Sequence, residues 1–335
     1  MNPKHPAVPK QIVIISCLLL ALLAVAVFLA LSAGSTGFGI GETIRVLAGK
    51  GASDSMLGPI IWRLRFPRAL MAILVGATLS LGGLVFQALL RNPLAEPYIL
   101  GISSGAGIGA IIGIIMGLSR FPGVSLAAFS GSMLTLVLLL FVSSGETLFR
   151  THSLLLSGVM VNAFCGALIM FLISITQDSR LHNVLFWLMG DLSMSDMTQV
   201  GILAVLLIPC FAALFMLSNT MNLMLMGREM ALSMGVRVRA VTVGLLLIAS
   251  FSVSVTVAQC GPVGFVGLVM PHLLRLLMGP DHRRLVPACI LGGGSYMVLC
   301  DLLARALPAQ GEMPVGVITA LIGAPLFIFL LKRSG

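Results

Sequence analysis

The stretch AVTVGLLLIASFSVSVTVAQCGPVGFVGLVMPHLL, residues 240–274, runs for 35 residues without an Asp, Glu, Lys or Arg. A bilayer core takes about 20 residues of helix, so the run is too long for one crossing and too short for two full ones. Within QCGPVGFVG (259–267), Pro262 has no N–H to donate and Gly261 adopts backbone angles that other residues avoid. The run therefore reads as a full span before Gly261–Pro262 and a short span after it.

Outward from that break the chain keeps the same character. Of its 335 residues 58% are hydrophobic and 9% charged, with mean hydropathy +1.10. A soluble domain carries roughly 25% charged residues, so a soluble protein is excluded. The gaps between charges mark further spans at 11–33, 69–90, 97–119, 121–145, 153–177, 197–217, 285–307 and 314–331. The expected fold is an all-α polytopic membrane protein with about ten transmembrane helices, one transmembrane domain over 1–335. Lys4 and Lys10 precede an apolar stretch of 23 residues. That is longer than the apolar segment of a signal peptide, about 7–15 residues, so it reads as a retained first helix.

With ten crossings both termini share one side, which collects twelve of the twenty Lys and Arg. Positive charge concentrates on cytoplasmic loops, so both termini are expected in the cytoplasm. The other side holds WRLRFPR (62–68), with Arg63, Arg65 and Arg68 against that bias. Two readings stand: headgroup snorkelling beside Trp62, or a docking site for an acidic partner outside the membrane.

GISSG (101–105) fits the nucleophile elbow of hydrolases, but that motif needs a strand-to-helix turn with a triad behind it. Gly101, Gly105, Gly109, Gly113 and Gly117 recur every fourth residue and read instead as a small-residue packing face. The six cysteines lack a CxxC pair and read as small core residues. No Walker A or HExxH sequence occurs, and the five histidines are dispersed. His272 beside Pro271 reads as a structural hydrogen-bonding residue rather than a ligand. Uphill work would need ion coupling or a partner ATPase. Asp301 is the clearest charge inside an apolar run, and Arg305 one turn on suggests a structural salt bridge, which argues against an ion-coupled secondary transporter. The segment SNTMNLMLMGREMALSMGVRVR (218–239) reads either as a short amphipathic insert for a protein cleft or as a helix on the membrane surface.

RLRFPRALMAILVGATLSLGGLVFQALLRNPLAEPYILG (63–101), FWLMGDLS (186–193), NLMLMGREMALSMGV (222–236), GPVGFVGLVMPHLLRLLMGPDHRRLVP (261–287) and DLLARALPAQGEMPVGVITALIGAPLFIFLL (301–331) resemble the iron–siderophore, haem and vitamin B12 permease family of ABC importers. The resemblance implies a permease of the vitamin B12-importer type, not an enzyme, that works as a pair, as a homodimer or with a paralogue. Two cytoplasmic ATPase subunits would carry ATP and Mg, with no cofactor on this chain and no nucleic acid among its partners. A periplasmic or lipid-anchored binding protein would deliver a metal chelate, a ferric siderophore before haem or cobalamin, across the bacterial inner membrane. Acids of that binding protein would meet Arg65, Arg68 and Arg305. Leu225, Gly227, Glu229, Ala231, Gly235 and Val236 would belong to the ATPase-coupling segment, with Gly235 at the turn between two short helices. Residues 181–197 would form a short helix on the outer face, with Trp187 at the interface. The pathway would run between two copies along the fifth and tenth helices, and Thr151, His152 and Asn162 would lie at its gate.

Overall fold

A computed structural model describes residues 10–33, 40–48, 57–143, 151–308 and 311–334, and no strand occurs among them. Seven helices are long and apolar enough to cross a bilayer, and three shorter apolar helices, Ile102–Ile115, Val266–Met278 and Val315–Leu330, complete ten. The helices are α1 (Lys10–Ser32), α2 (Ile40–Leu47), α3 (Leu57–Pro59), α4 (Phe66–Leu90), α5 (Ile102–Ile115), α6 (Ser125–Val142), α7 (Thr151–Ser174), α8 (Asp178–Leu188), α9 (Met197–Met216), α10 (Ser218–Leu225), α11 (Arg228–Ser233), α12 (Val238–Cys260), α13 (Val266–Met278), α14 (His282–Ala306) and α15 (Val315–Ser334).

The break read from Gly261–Pro262 is present. α12 ends at Cys260, Gly261 takes φ +73°, and α13 begins at Val266 after Phe265 at φ +69°. A non-glycine residue with positive φ is uncommon, and here a neighbouring loop holds it. Glu96 Oε1 accepts from Phe265 N at 3.2 Å, and the Tyr98 hydroxyl donates to Val263 O and accepts from Val263 N, each at 2.8 Å. AEPY (95–98) thus satisfies backbone groups that the interrupted helix leaves without partners.

α4 forms the centre, with most of its length buried from Pro67 to Leu90. It packs along α14, and a Cβ added at Gly76 would strike the Gly293 carbonyl. In lipid no hydrophobic force joins helices, so such close backbone approach supplies the packing energy. Gly83 meets the Gly267 carbonyl in the same way.

Four sequence expectations change. The second span does not start at Ala69: α3 continues through a wide π-type turn, Ile60–Arg65, into α4, so the arginines lie inside the helix. Pro67 cannot donate to a preceding carbonyl, and the widened turn accommodates it. The third span is shorter than 97–119. Pro97–Leu100 is a 3-10 turn, Gly101 (φ +80°) and Gly117 (φ +75°) flank α5, and of the five glycines in the repeat only Gly105, Gly109 and Gly113 lie inside it. Those three do form the packing face, against Gly131, Thr135, Ala127 and Ala128 of α6 and Val124. The helix expected over 181–197 covers Asp178–Leu188, and Trp187 is buried rather than interfacial. Its carbonyl lies where a side chain at Gly261 would go.

Candidate functional site

α1 ends at Ser32, and the last carbonyls of any helix lack intrahelical donors. Arg65 Nη1 donates to Leu31 O at 2.6 Å and Ser32 O at 3.2 Å. Arg305 Nη2 donates to Ala30 O at 3.1 Å and Nη1 to Ala33 O at 3.4 Å. Two guanidiniums thereby close the negative end of the α1 dipole. Arg305 Nε also donates to Asp301 Oδ2 at 3.1 Å, the i, i+4 pair expected from the sequence. Arg68 Nε donates to Asp301 Oδ1 at 2.8 Å, and Arg68 Nη1 to Glu312 Oε2 at 2.5 Å.

The three arginines singled out for docking are therefore gathered in one network, each buried. Arg63 stands apart and exposed. Sequence reasoning missed Glu312. Its signal was available: an acid in GEMPVG, eleven residues past Asp301 and just ahead of the last span.

On the same side by chain order lies a cavity of about 510 Å³ lined by Arg120, Arg180, His182, Asn183, Trp187 and Asp191 among others. Arg120 Nη2 bonds Asp191 Oδ2 at 2.7 Å. Burial pushes the Asp191 carboxyl up, but Arg120 and the Ser193 amide and hydroxyl outweigh it and hold the pKa below the usual carboxylate value.

The opposite end carries the methionine-rich segment, folded as α10 and α11 with Gly227 at φ +114° and Gly235 at φ +81° between and after them. Only glycine enters such angles freely, and both turns depend on it. Ala231 is buried, Val236 half-buried, and Leu225, Glu229, Met226, Met230 and Met234 are exposed. The segment is anchored at its start. Asn222 Nδ2 donates to Asp281 Oδ1 at 2.6 Å, and Asn222 Oδ1 accepts from His282 N at 2.8 Å and faces His282 Nδ1 at 2.8 Å. Asp281 also caps α14 through Arg283 N at 3.0 Å. Burial raises the Asp281 pKa, yet Asn222, the Arg283 amide and the Arg283 and Arg284 charges bring it below the ordinary value. Arg91 Nη2 adds a bond to Met224 O at 3.1 Å. Asn222 and Asp281 were not singled out from the sequence. Their pairing spans 59 residues, and no local pattern carries it.

The expected gate is only partly visible. Thr151 and His152 open α7, but their side chains lie outside the described residues. Asn162 is exposed on α7, and its Oδ1 accepts from Ser104 Oγ at 2.6 Å. His272 departs from expectation. Its Nε2 has no hydrogen-bond partner among the described residues, and its ring packs edge-on to Phe327 at 6.0 Å; Pro271 beside it is buried.

The family model described as the FecCD transport family matches residues 22–333. The ABC transporter permease protein YvrB of Bacillus subtilis, itself uncharacterised, is 38% identical over 330 residues, 93% of this chain and 91% of that protein. The vitamin B12 import system permease protein BtuC of Salmonella arizonae is 40% identical over 277 residues, 82% of this chain and 83% of that protein. Among solved structures, an inward-facing transporter described as of metal-chelate ABC type matches 95% of this chain and 99% of its own, with TM-score 0.84 and 32% identity. PsaBC from Streptococcus pneumoniae, solved in complex with Fab, covers 87% of this chain and 95% of that one at TM-score 0.58 and 17% identity, a likeness of fold.

Proposed function

The chain belongs to the FecCD transport family, and from that premise we propose that it is the membrane-spanning half of an importer for metal chelates. It is an ABC permease and not an enzyme. A binding protein would deliver the chelate to the arginine end, and two ATPase subunits would grip the α10–α11 segment. ATP binding and hydrolysis in those subunits would move α10 and α11, rocking the spans between outward- and inward-open states. Exposed apolar side chains on α7 (Leu156, Met160, Phe164) and α15 (Leu321, Ile328, Phe329) supply a face for a second copy. Both termini lie in the cytoplasm under this reading, in the bacterial inner membrane.

The observation that carries the reading is the pairing of a basic network at one end of α14 with an anchored, methionine-fringed helical hairpin at the other. The family motifs are shared by permeases for ferric siderophores, haem and cobalamin, and commonness alone favours a ferric siderophore. The vitamin B12 permease BtuC, 40% identical, supports testing cobalamin first. Uptake by cells expressing the complete importer tests the ranking, with radiolabelled cyanocobalamin, ferric siderophores and haem offered separately. Cobalamin accumulation that stops when the permease gene is deleted supports it. Accumulation of an iron chelate alone would return the siderophore reading to first place, and accumulation of none would reject the importer.

A further inference from the structure

The outer network holds three guanidiniums, from Arg65, Arg68 and Arg305, and two carboxylates, from Asp301 and Glu312. The two acids differ in what fixes them. Asp301 is gripped on both oxygens, by Arg68 and by Arg305, and its side chain is 2% exposed. Withdrawing it would leave buried cations without a counter-charge, a severe loss. Among the described residues Glu312 makes one ion pair, to Arg68 Nη1 at 2.5 Å, and its side chain is 43% exposed. It follows Gly311 (φ +75°), around which a side chain would find open space, and it precedes Met313, whose N–H is held by Ala304 O at 3.1 Å. The Glu312 carboxylate can therefore swing into water while the chain on its C-terminal side stays fixed. An exposed pair of this kind adds little stability, because water solvates the released acid well.

Arg68 itself is 8% exposed, and the side of its fork not taken by Asp301 is occupied by Glu312. An acid arriving from outside that is to bond Arg68 Nη1 meets Glu312 already there and must displace it. We propose that Glu312 is an internal stand-in for the docking partner's carboxylate: it fills the outward edge of Arg68 in the unoccupied permease and is exchanged for an acidic side chain of the binding protein on landing. The inference rests on the docking reading above and adds an internal competitor to it. Exchange of one carboxylate for another keeps the charge of the network constant, so landing does not require a bare cation to wait at the membrane surface. It also makes the site discriminating, since a weakly placed anion gains nothing over the acid already there.

Two measurements on the full chain in lipid nanodiscs test this. The first needs no partner: phenylglyoxal modifies accessible guanidiniums, and peptide mass spectrometry reads the rate at Arg68. Glu312→Ala should raise that rate roughly two- to fivefold, the range of a partly exposed ion pair, and leave Arg305 unchanged. An unchanged Arg68 rate overturns the proposal. The second adds the substrate-binding protein encoded with the permease, with the ATPase present. Removing the competitor in Glu312→Ala should tighten binding by a similar factor, and Glu312→Gln by less. Weaker or equal binding in both overturns the proposal. Arg68→Gln separates the two ideas. Should binding survive that change at wild-type strength, the docking reading itself fails; should it be lost while Glu312→Ala changes nothing, docking stands and the stand-in falls.

Discussion

Arg68 and Arg305 share the Asp301 carboxylate at 2.8 and 3.1 Å, and all three side chains are nearly sealed from water. Desolvating such charges costs about as much as their attraction returns, so the intact group is weak evidence for stability. Removing one member is different, because the remaining charges stay buried and unmatched, at a cost of about 3–5 kcal/mol. Asp301→Ala is therefore expected to lower the thermal unfolding midpoint of the purified permease sharply. Asp301→Asn keeps an acceptor oxygen and should lose less, and Glu312→Ala, at the wet edge, should lose least. Equal midpoints for Asp301→Ala and Glu312→Ala would show that the buried acid is not what holds this end together. The same pairing bears on ion coupling, since both oxygens of the Asp301 carboxylate are already taken by guanidiniums. The Asp301–Arg305 half of the network was legible from the i, i+4 spacing. The Arg68 half was not, because it joins positions 233 residues apart.

At the scale of elements the joint between α10 and α14 has the clearest consequence. Asn222 is the only side chain among the described residues that bonds both Asp281 and the His282 amide. Asn222→Ala removes the Asp281 contact and leaves the His282 amide without that acceptor, so α10 loses its fixed angle to α14. Assembly with the ATPase should persist, because the exposed methionines and Glu229 are untouched. ATP hydrolysis should continue while chelate uptake per ATP falls several-fold; unchanged uptake per ATP would reject a transmitting role for the joint. The Asp281 carboxyl is held below the ordinary value, so its share of the joint's stability is present at neutral pH. That share is lost only as the pH falls below the ordinary carboxylate range toward the depressed pKa. Sequence pattern placed the ten crossings because each needs its own apolar run. It misplaced the ends of the second and third, where Pro67 widens a turn and Gly101 and Gly117 end a helix through positive φ. It overlooked the α4–α14 seam, since Gly76 and Gly293 lie on different helices and show no shared periodicity.

Across the whole molecule, α4 and α14 each run 25 residues, a length of ~37 Å, enough to reach from one face of the bilayer to the other. α4 carries Arg68 near its start and is followed by Arg91, which bonds the Met224 carbonyl; α14 begins at the Asn222 joint and ends with Asp301 and Arg305. Their glycine seam brings the two backbones into direct contact, which gives a displacement at the arginine end a packed route to the hairpin. That mechanism requires the two ends to face opposite compartments. In a variant with the six native cysteines replaced, Arg63→Cys lies exposed beside the network and Glu229→Cys exposed on α11. An impermeant maleimide added to intact spheroplasts should label Arg63→Cys fully, and Glu229→Cys only after the membrane is opened. Labelling of both before opening would put the landing face and the ATPase face on one side. No rocking of α4 and α14 could then carry a signal from a binding protein outside to an ATPase within.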